Sequence, residues 1–253
     1  VARGLAGSMR SALPVVRVEV APGGDEPGAH DWYRAVPAVA QVLAEGWDLS
    51  AATVLVGDNG AGKSTLVEGV AGAYGMGPEG GAIGSRHSTR VTESGLADRL
   101  RLLRGVGSPR RGYFLRAETM HSFYTYLEEN PGARGPQNPE PEFHAMSHGE
   151  SFLTLIGDRM MLPGFYVFDE PESALSFTGC LALLQHLHDL VRNDSQVLLS
   201  THSPLLAALP GATVWEVGDW GLRRTAWEDL ELVRRWRGFL DDPQRYLRHV
   251  LDG

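Results

Sequence analysis

Two rhythms of apolar residues alternate along the chain: short unbroken runs, and longer stretches in which they recur every three or four positions. The first rhythm predicts buried strands and the second predicts amphipathic helices. Residues 15–20 (Val-Val-Arg-Val-Glu-Val), 53–56, 113–115, 165–168 and 196–199 read as strands. Residues 213–217 and 222–226 read as a hairpin around Gly218-Asp219-Trp220-Gly221. Helices are expected over 33–46, from Lys63 to residue 73, around Leu96, Leu100, Leu102 and Leu103, from about Gly149, and over 177–192. Two short helices close the chain on either side of Asp241-Asp242-Pro243. The Gly-, Pro- or Ser-rich segments 21–30, 76–94 and 131–141 read as irregular connections. Strands alternating with helices predict an α/β fold, a mostly parallel sheet covered by helices on both faces.

The length of 253 residues suits one large domain or two small ones, and a single α/β domain of this size needs no disulfide or metal to fold. The single cysteine, Cys180, cannot form a disulfide within the chain, which suits a reducing, cytoplasmic compartment. The first residues lack the charged-then-apolar pattern of a secretory signal, and no apolar run approaches the roughly 20 residues of a spanning helix. A net charge of −8 argues against broad, non-specific nucleic-acid binding. The local exception is Arg99, Arg101, Arg104, Arg110, Arg111 and Arg116, which reads either as a solvated face or as a dock for an acidic partner or a nucleic-acid backbone. Of the 23 basic residues only one, Lys63, is lysine.

That lysine belongs to the most specific motif in the chain. Gly57-Asp58-Asn59-Gly60-Ala61-Gly62-Lys63-Ser64 matches G-x-x-x-x-G-K-[ST] in full, between an expected strand and an expected helix. Glycines let the backbone curl so that successive N–H groups face phosphate oxygens, and the helix N-terminus adds its positive dipole end. A slim ammonium can thread between two phosphates where the planar guanidinium of arginine cannot. The motif predicts a P-loop NTPase fold in which 57–64 and the adjoining Thr65 cradle ATP. Lys63 would reach the β- and γ-phosphates, and the Ser64 hydroxyl would ligate Mg2+.

The strand at 165–168 ends in Asp169-Glu170-Pro171. Ligands of parallel sheets bind outside the strand C-termini, so both acids are expected beside the phosphates. Asp169 would hold Mg2+, and Glu170 would orient or deprotonate the attacking water. Met146-Ser147-His148-Gly149-Glu150 opens a helix, with Ser147 and Glu150 spaced as a capping box, a helix start that can also hold an anion. The strand 196–199 leads to Ser200-Thr201-His202, where the histidine could donate a hydrogen bond to a γ-phosphate.

These four motifs, in this order, resemble the ABC-type ATPase family: phosphate loop at 57–64, signature at 146–150, strand-end acids at 165–170 and switch histidine His202. Ser173-Ala174-Leu175-Ser176 stands where that family has its D-loop. The form Ser-x-Gly-Glu is more similar to chromosome-maintenance and recombination-repair ATPases than to transporters, and residues 239–247 are similar to a stand-alone bacterial group of ATPases. The resemblance implies an ATP-dependent homodimer packed head to tail. Ser147, Gly149 and Glu150 of one chain would close on nucleotide held by the other, with Glu170 as catalytic base and His202 as γ-phosphate sensor. It also implies one ATPase domain over 1–253, with 119–162 as a short helical lobe. The family's glutamine after the strand at 113–115 is missing, Glu118 being the nearest substitute, and Tyr33 is a candidate for stacking on adenine.

Other readings stay open at this point. The chain could be the ATP-binding subunit of a membrane transporter, although the lobe is short for coupling to membrane helices. It could serve a nucleic-acid process through the arginine patch, or be a small-molecule kinase. The protein or nucleic-acid partner is not named by the sequence.

Overall fold

The computed structural model describes residues 12–23, 31–77, 80–84, 95–119 and 148–251. The connector at 131–141, Ser147 and most of the expected 119–162 lobe lie outside the described residues.

Strand β1 (Arg17–Val20) is followed by a 3-10 turn at Trp32–Ala35 and helix α1 (Pro37–Glu45), where proline in the first turn costs no hydrogen bond. Strands β2 (Trp47–Asp48) and β3 (Ala52–Gly57) lead into helix α2 (Lys63–Tyr74). Then come β4 (Gly81–Ala82), β5 (Leu100–Leu103), β6 (Gly112–Arg116), helix α3 (His148–Arg159) and β7 (Phe165–Asp169). Helix α4 (Phe177–Arg192), β8 (Gln196–Thr201), β9 (Thr213–Gly218) and β10 (Gly221–Arg224) precede helices α5 (Glu231–Asp241) and α6 (Pro243–Leu251).

A seven-stranded sheet runs β10-β9-β3-β8-β7-β6-β4. Its five inner strands are mutually parallel, and β10 and β4 pair antiparallel at the edges. Successive side chains of a strand point to opposite faces, and both faces carry buried apolar clusters here. Val54, Val56, Tyr166, Phe168, Val197 and Leu199 pack with Phe152, Leu155 and Ile156 of α3 and Leu183 and Leu187 of α4. Leu55, Phe165, Val167 and Leu198 pack with Leu66, Val67 and Val70 of α2 and Val39 and Val42 of α1. The expected doubly covered, mostly parallel sheet is therefore present. Among the described residues no helix is long and apolar enough to cross a membrane.

Three local expectations are corrected. Leu96, Leu100, Leu102 and Leu103 do not share a helix: a 3-10 turn (Ala97–Arg99) leads directly into β5. That strand pairs antiparallel with β1, Val18 opposite Leu102 and Val20 opposite Leu100, in a separate three-stranded sheet of order β2-β1-β5. Within 76–94, expected to be irregular, Gly81 and Ala82 pair with Phe114 and Tyr113 as an edge strand. The helix expected over 33–46 begins only at Pro37, after the separate turn.

Candidate active site

β3 carries only buried residues until Gly57, so the chain leaves the sheet interior abruptly and must turn within a few residues. Gly60 (φ 82°) and Gly62 (φ 98°) adopt left-handed backbone that L side chains avoid. A β-carbon at Gly62 would also stand 2.2 Å from Val36 Cγ1. The loop closes with Ala61 N donating to Asp58 O at 3.2 Å and Leu66 N donating to Gly62 O at 3.1 Å. Helix α2 thus starts at Lys63, and the N–H groups of its first turn have no partner within the helix, which makes its N-terminus a place for an anion. Ser64 and Thr65 belong to that first turn. Asp58, Asn59, Gly60 and Ala61 line a cavity of about 310 Å3 shared with Trp220 and with Glu231 and Arg235 of α5.

The sheet register sets a second group of residues beside this loop. Arg116, Asp169 and Ser200 lie in one row across β6, β7 and β8. Asp169, 4% exposed, accepts hydrogen bonds from Ser200 Oγ and, at 3.0 Å, from Ser64 Oγ, and its Oδ2 lies 3.5 Å from Arg116 Nε. Burial raises its pKa above the ordinary carboxylate value, against the opposing pull of Ser200, Arg116 and Ser64. A serine hydroxyl and a carboxylate in contact beside a phosphate loop are hard oxygen donors of the kind that hold Mg2+ together with substrate phosphates. Among the described residues no group of three or more His, Cys, Asp or Glu is clustered to hold a metal.

At the end of β7 the chain kinks. Glu170 has φ 49° and ψ 49°, a conformation that costs a non-glycine residue free energy. Its backbone N–H donates to Ser200 O at 3.1 Å, and its Oε1 lies 2.8 Å from His202 Nε2 and 3.7 Å from Lys63 Nζ. Lys63 Nζ is in turn 2.8 Å from the same His202 Nε2 and donates to Asp58 O at 3.2 Å. The Nε2 atom can serve only one neighbour at a time: protonated it donates to Glu170, bare it accepts from Lys63. The Lys63 side chain is 2% exposed, and burial lowers its pKa, partly offset by Glu170 and Asp169.

Five of the residues expected from sequence therefore converge: Lys63, Ser64, Asp169, Glu170 and His202. Gly149 and Glu150 open α3, and a β-carbon on Gly149 would lie 3.5 Å from Ala174 O. Ser147 lies outside the described residues. Tyr33 is fully buried, so it cannot stack on a base as expected. The arginine patch is largely consumed at home. Arg99 pairs with Asp31, Arg101 with Glu19, and Arg104 lies 4.5 Å from the centre of the Tyr74 ring.

Sequence reasoning missed three residues of this site. Arg116 reaches Asp169, and it also pairs with the exposed Glu118 and, at 3.1 Å, with the half-buried Glu68. Ser200 binds Asp169. Glu172 Oε1 accepts from Thr201 Oγ1 at 2.7 Å and from the His202 backbone N–H. A signal for Arg116 was available, since it ends the strand where the family's glutamine follows. No local pattern announces the other two.

No protein-family model matches the chain. Over 174 residues it is 30% identical to the ABC transporter G family member STR2 of Medicago truncatula, covering 60% of this chain and 23% of that protein. It thus spans about a quarter of the length of this curated relative. Similar solved structures include the SMC head domain from Thermotoga maritima, at 14% identity and a TM-score of 0.41, covering 72% of this chain and 93% of that one. Another is a dimeric ATP-binding cassette in a post-hydrolysis state bound to ADP and Pi, at 16% identity and a TM-score of 0.40, covering 71% and 87%. The chain is similar to ABC-type P-loop ATPases.

Proposed function

We propose that the chain is an ABC-type ATPase domain that binds Mg-ATP in the loop 57–65, hydrolyses it, and pairs with a second copy around the nucleotide. One observation carries the reading: the only lysine of the chain, two strand-end acids and a strand-end histidine meet at the mouth of a phosphate-type loop. Backbone N–H groups of the loop and the α2 N-terminus would bind the triphosphate, and Lys63 would neutralise its terminal oxygens. Ser64 and Asp169 would hold Mg2+, which when bound supplies charge neutralisation of the phosphates. Glu170, next to the cation-binding pair and 36% exposed in its side chain, would take the proton of the attacking water. His202 would report the γ-phosphate by exchanging its contact with Lys63 and Glu170 for one with phosphate.

Gly149 and Glu150, with Ser147, would close on the partner's nucleotide in this reading, and the second copy would complete the site. The cycle would drive a process on a protein or a nucleic acid. Service as the ATP-binding part of a transporter is a second reading, favoured by the identity to a transporter relative over 60% of the chain. Phosphate release from Mg-ATP without added acceptor is the test. Glu170→Gln should lower turnover by about 10²–10⁴-fold, as loss of a general base does. Wild-type turnover in that variant removes Glu170 from the mechanism, and ADP formed without free phosphate, only when a small-molecule acceptor is added, makes the chain a kinase.

A further inference from the structure

Glu172 lies in the 3-10 turn Pro171–Ala174 that follows the proposed base, yet its side chain reaches back to the end of β8. One carboxylate oxygen, Oε1, accepts both the Thr201 hydroxyl at 2.7 Å and the backbone N–H of His202. Thr201 Oγ1 in turn accepts the Ser203 N–H at 3.0 Å, so the chain around the histidine is held on both sides by one short relay. The turn itself is tied to β8 from the other end by Glu170 N donating to Ser200 O, and it is closed by Ser173 N donating to Glu170 O at 3.2 Å. The proposed base and the histidine that contacts it are thereby fastened to each other twice, once through the main chain and once through Glu172.

A cap on a strand end does not call for a carboxylate. Two donors could be met by solvent or by a neutral side chain, whereas the second oxygen of Glu172 is buried with no hydrogen-bond partner among the described residues, an arrangement that disfavours the folded state. The neighbouring Glu170 is also held in left-handed backbone. Strain and an unmet polar atom two residues apart, at the head of one turn, are what a fold retains where geometry serves chemistry.

We propose that Glu172 is a positioning residue for hydrolysis: by accepting Thr201 Oγ1–H and His202 N–H it sets the separation of the His202 ring from Glu170. The inference rests on the ATPase reading above. It does not touch the reacting atoms and acts through His202. Misplacement of a reacting group by about 1 Å costs on the order of 10²-fold in rate.

The experiment compares Glu172→Ala, Glu172→Gln and Glu172→Asp in phosphate release, in binding of a fluorescent ATP analogue, and in thermal unfolding. Glu172→Ala should lower kcat by about 10–100-fold while KM and analogue affinity stay within about threefold. Glu172→Gln keeps the accepting oxygen at full reach and should return kcat to within about fivefold of wild type, whereas Glu172→Asp keeps the charge but is one methylene too short and should not. Rescue by Asp and not by Gln overturns the proposal in favour of charge, and so does a Glu172→Ala enzyme with wild-type kcat, or one whose KM and kcat fall together. Should Glu172→Ala not fold, Thr201→Val removes one of the two donors instead and should lower kcat alone; unchanged kcat overturns the proposal. Glu170→Gln runs in parallel. If wild type releases no phosphate from Mg-ATP, the ATPase reading itself fails; if Glu170→Gln is inactive while Glu172→Ala is not, only the role of Glu172 fails.

Discussion

The two ends of the seven-stranded sheet treat buried polar groups in opposite ways. At the N-terminal ends of the parallel strands, Gln196 of β8 is 1% exposed, and its amide accepts from Val15 N at 2.8 Å and donates to Val15 O at 2.7 Å and Ser50 O at 3.0 Å. One neutral side chain matches three backbone groups there. At the C-terminal ends, the single Nε2 of His202 stands between Lys63 and Glu170, Asp169 is buried with its pKa raised, and Glu170 is strained. Polar chemistry that is closed serves the fold, and polar chemistry left over-subscribed is available to a ligand.

That contrast can be broken by substitution, beginning with the largest effect. Lys63→Met should weaken binding of an ATP analogue by on the order of 10²-fold, the loss of a charge-assisted contact to phosphate. It should not lower the unfolding temperature of the ligand-free protein. Burial lowers the folded-state pKa of Lys63, so the stability its titration contributes is present only above its unfolded pKa and is lost as pH falls through the folded value. At neutral pH, below the unfolded value, its burial therefore burdens the fold. A marked destabilisation by Lys63→Met would erase the distinction between the two ends.

Gln196→Leu should do the reverse. Leaving Val15 N and O and Ser50 O without their partner should cost about 1–3 kcal/mol in denaturant unfolding, with turnover per folded molecule unchanged. A loss of turnover at full stability would show that the N-terminal end takes part in the chemistry.

The smallest effect lies away from both ends, on α4. Burial lowers the pKa of His186 from its ordinary 6.5, with Asp189 opposing. A depressed histidine gives stability that is present above the unfolded value and is lost as pH falls through the folded one. The unfolding temperature of wild type should therefore drop more steeply below about pH 6.5 than that of His186→Gln. Parallel curves would mean that the folded and unfolded states bind the His186 proton equally.

The legible and illegible parts of the molecule divide on the same physical line. The loop 57–64 and strand ends 165–170 and 196–202 could be read because glycine backbone freedom, an unbroken apolar run and the charge that ends it are properties of neighbouring residues. Leu96, Leu100, Leu102 and Leu103 could not, because so short an apolar run fits either rhythm and only pairing with Val18 and Val20 makes β5 a strand. Tyr33 looked available to a base because sequence carries no sign of what covers it. The contacts of Arg116, Ser200 and Glu172 depend on strand register, and Asp169 meets Arg116 and Ser200 only once three strands from distant parts of the chain are aligned.

The most direct test of the account is the identity of the nucleotide that stays on the protein. Glu170→Gln, incubated with Mg-ATP and freed of unbound ligand, should retain nucleotide that is still ATP, while wild type treated alike should retain ADP. No retained nucleotide on either protein, or equal ADP on both, would contradict a triphosphate site at 57–65 with Glu170 as its base.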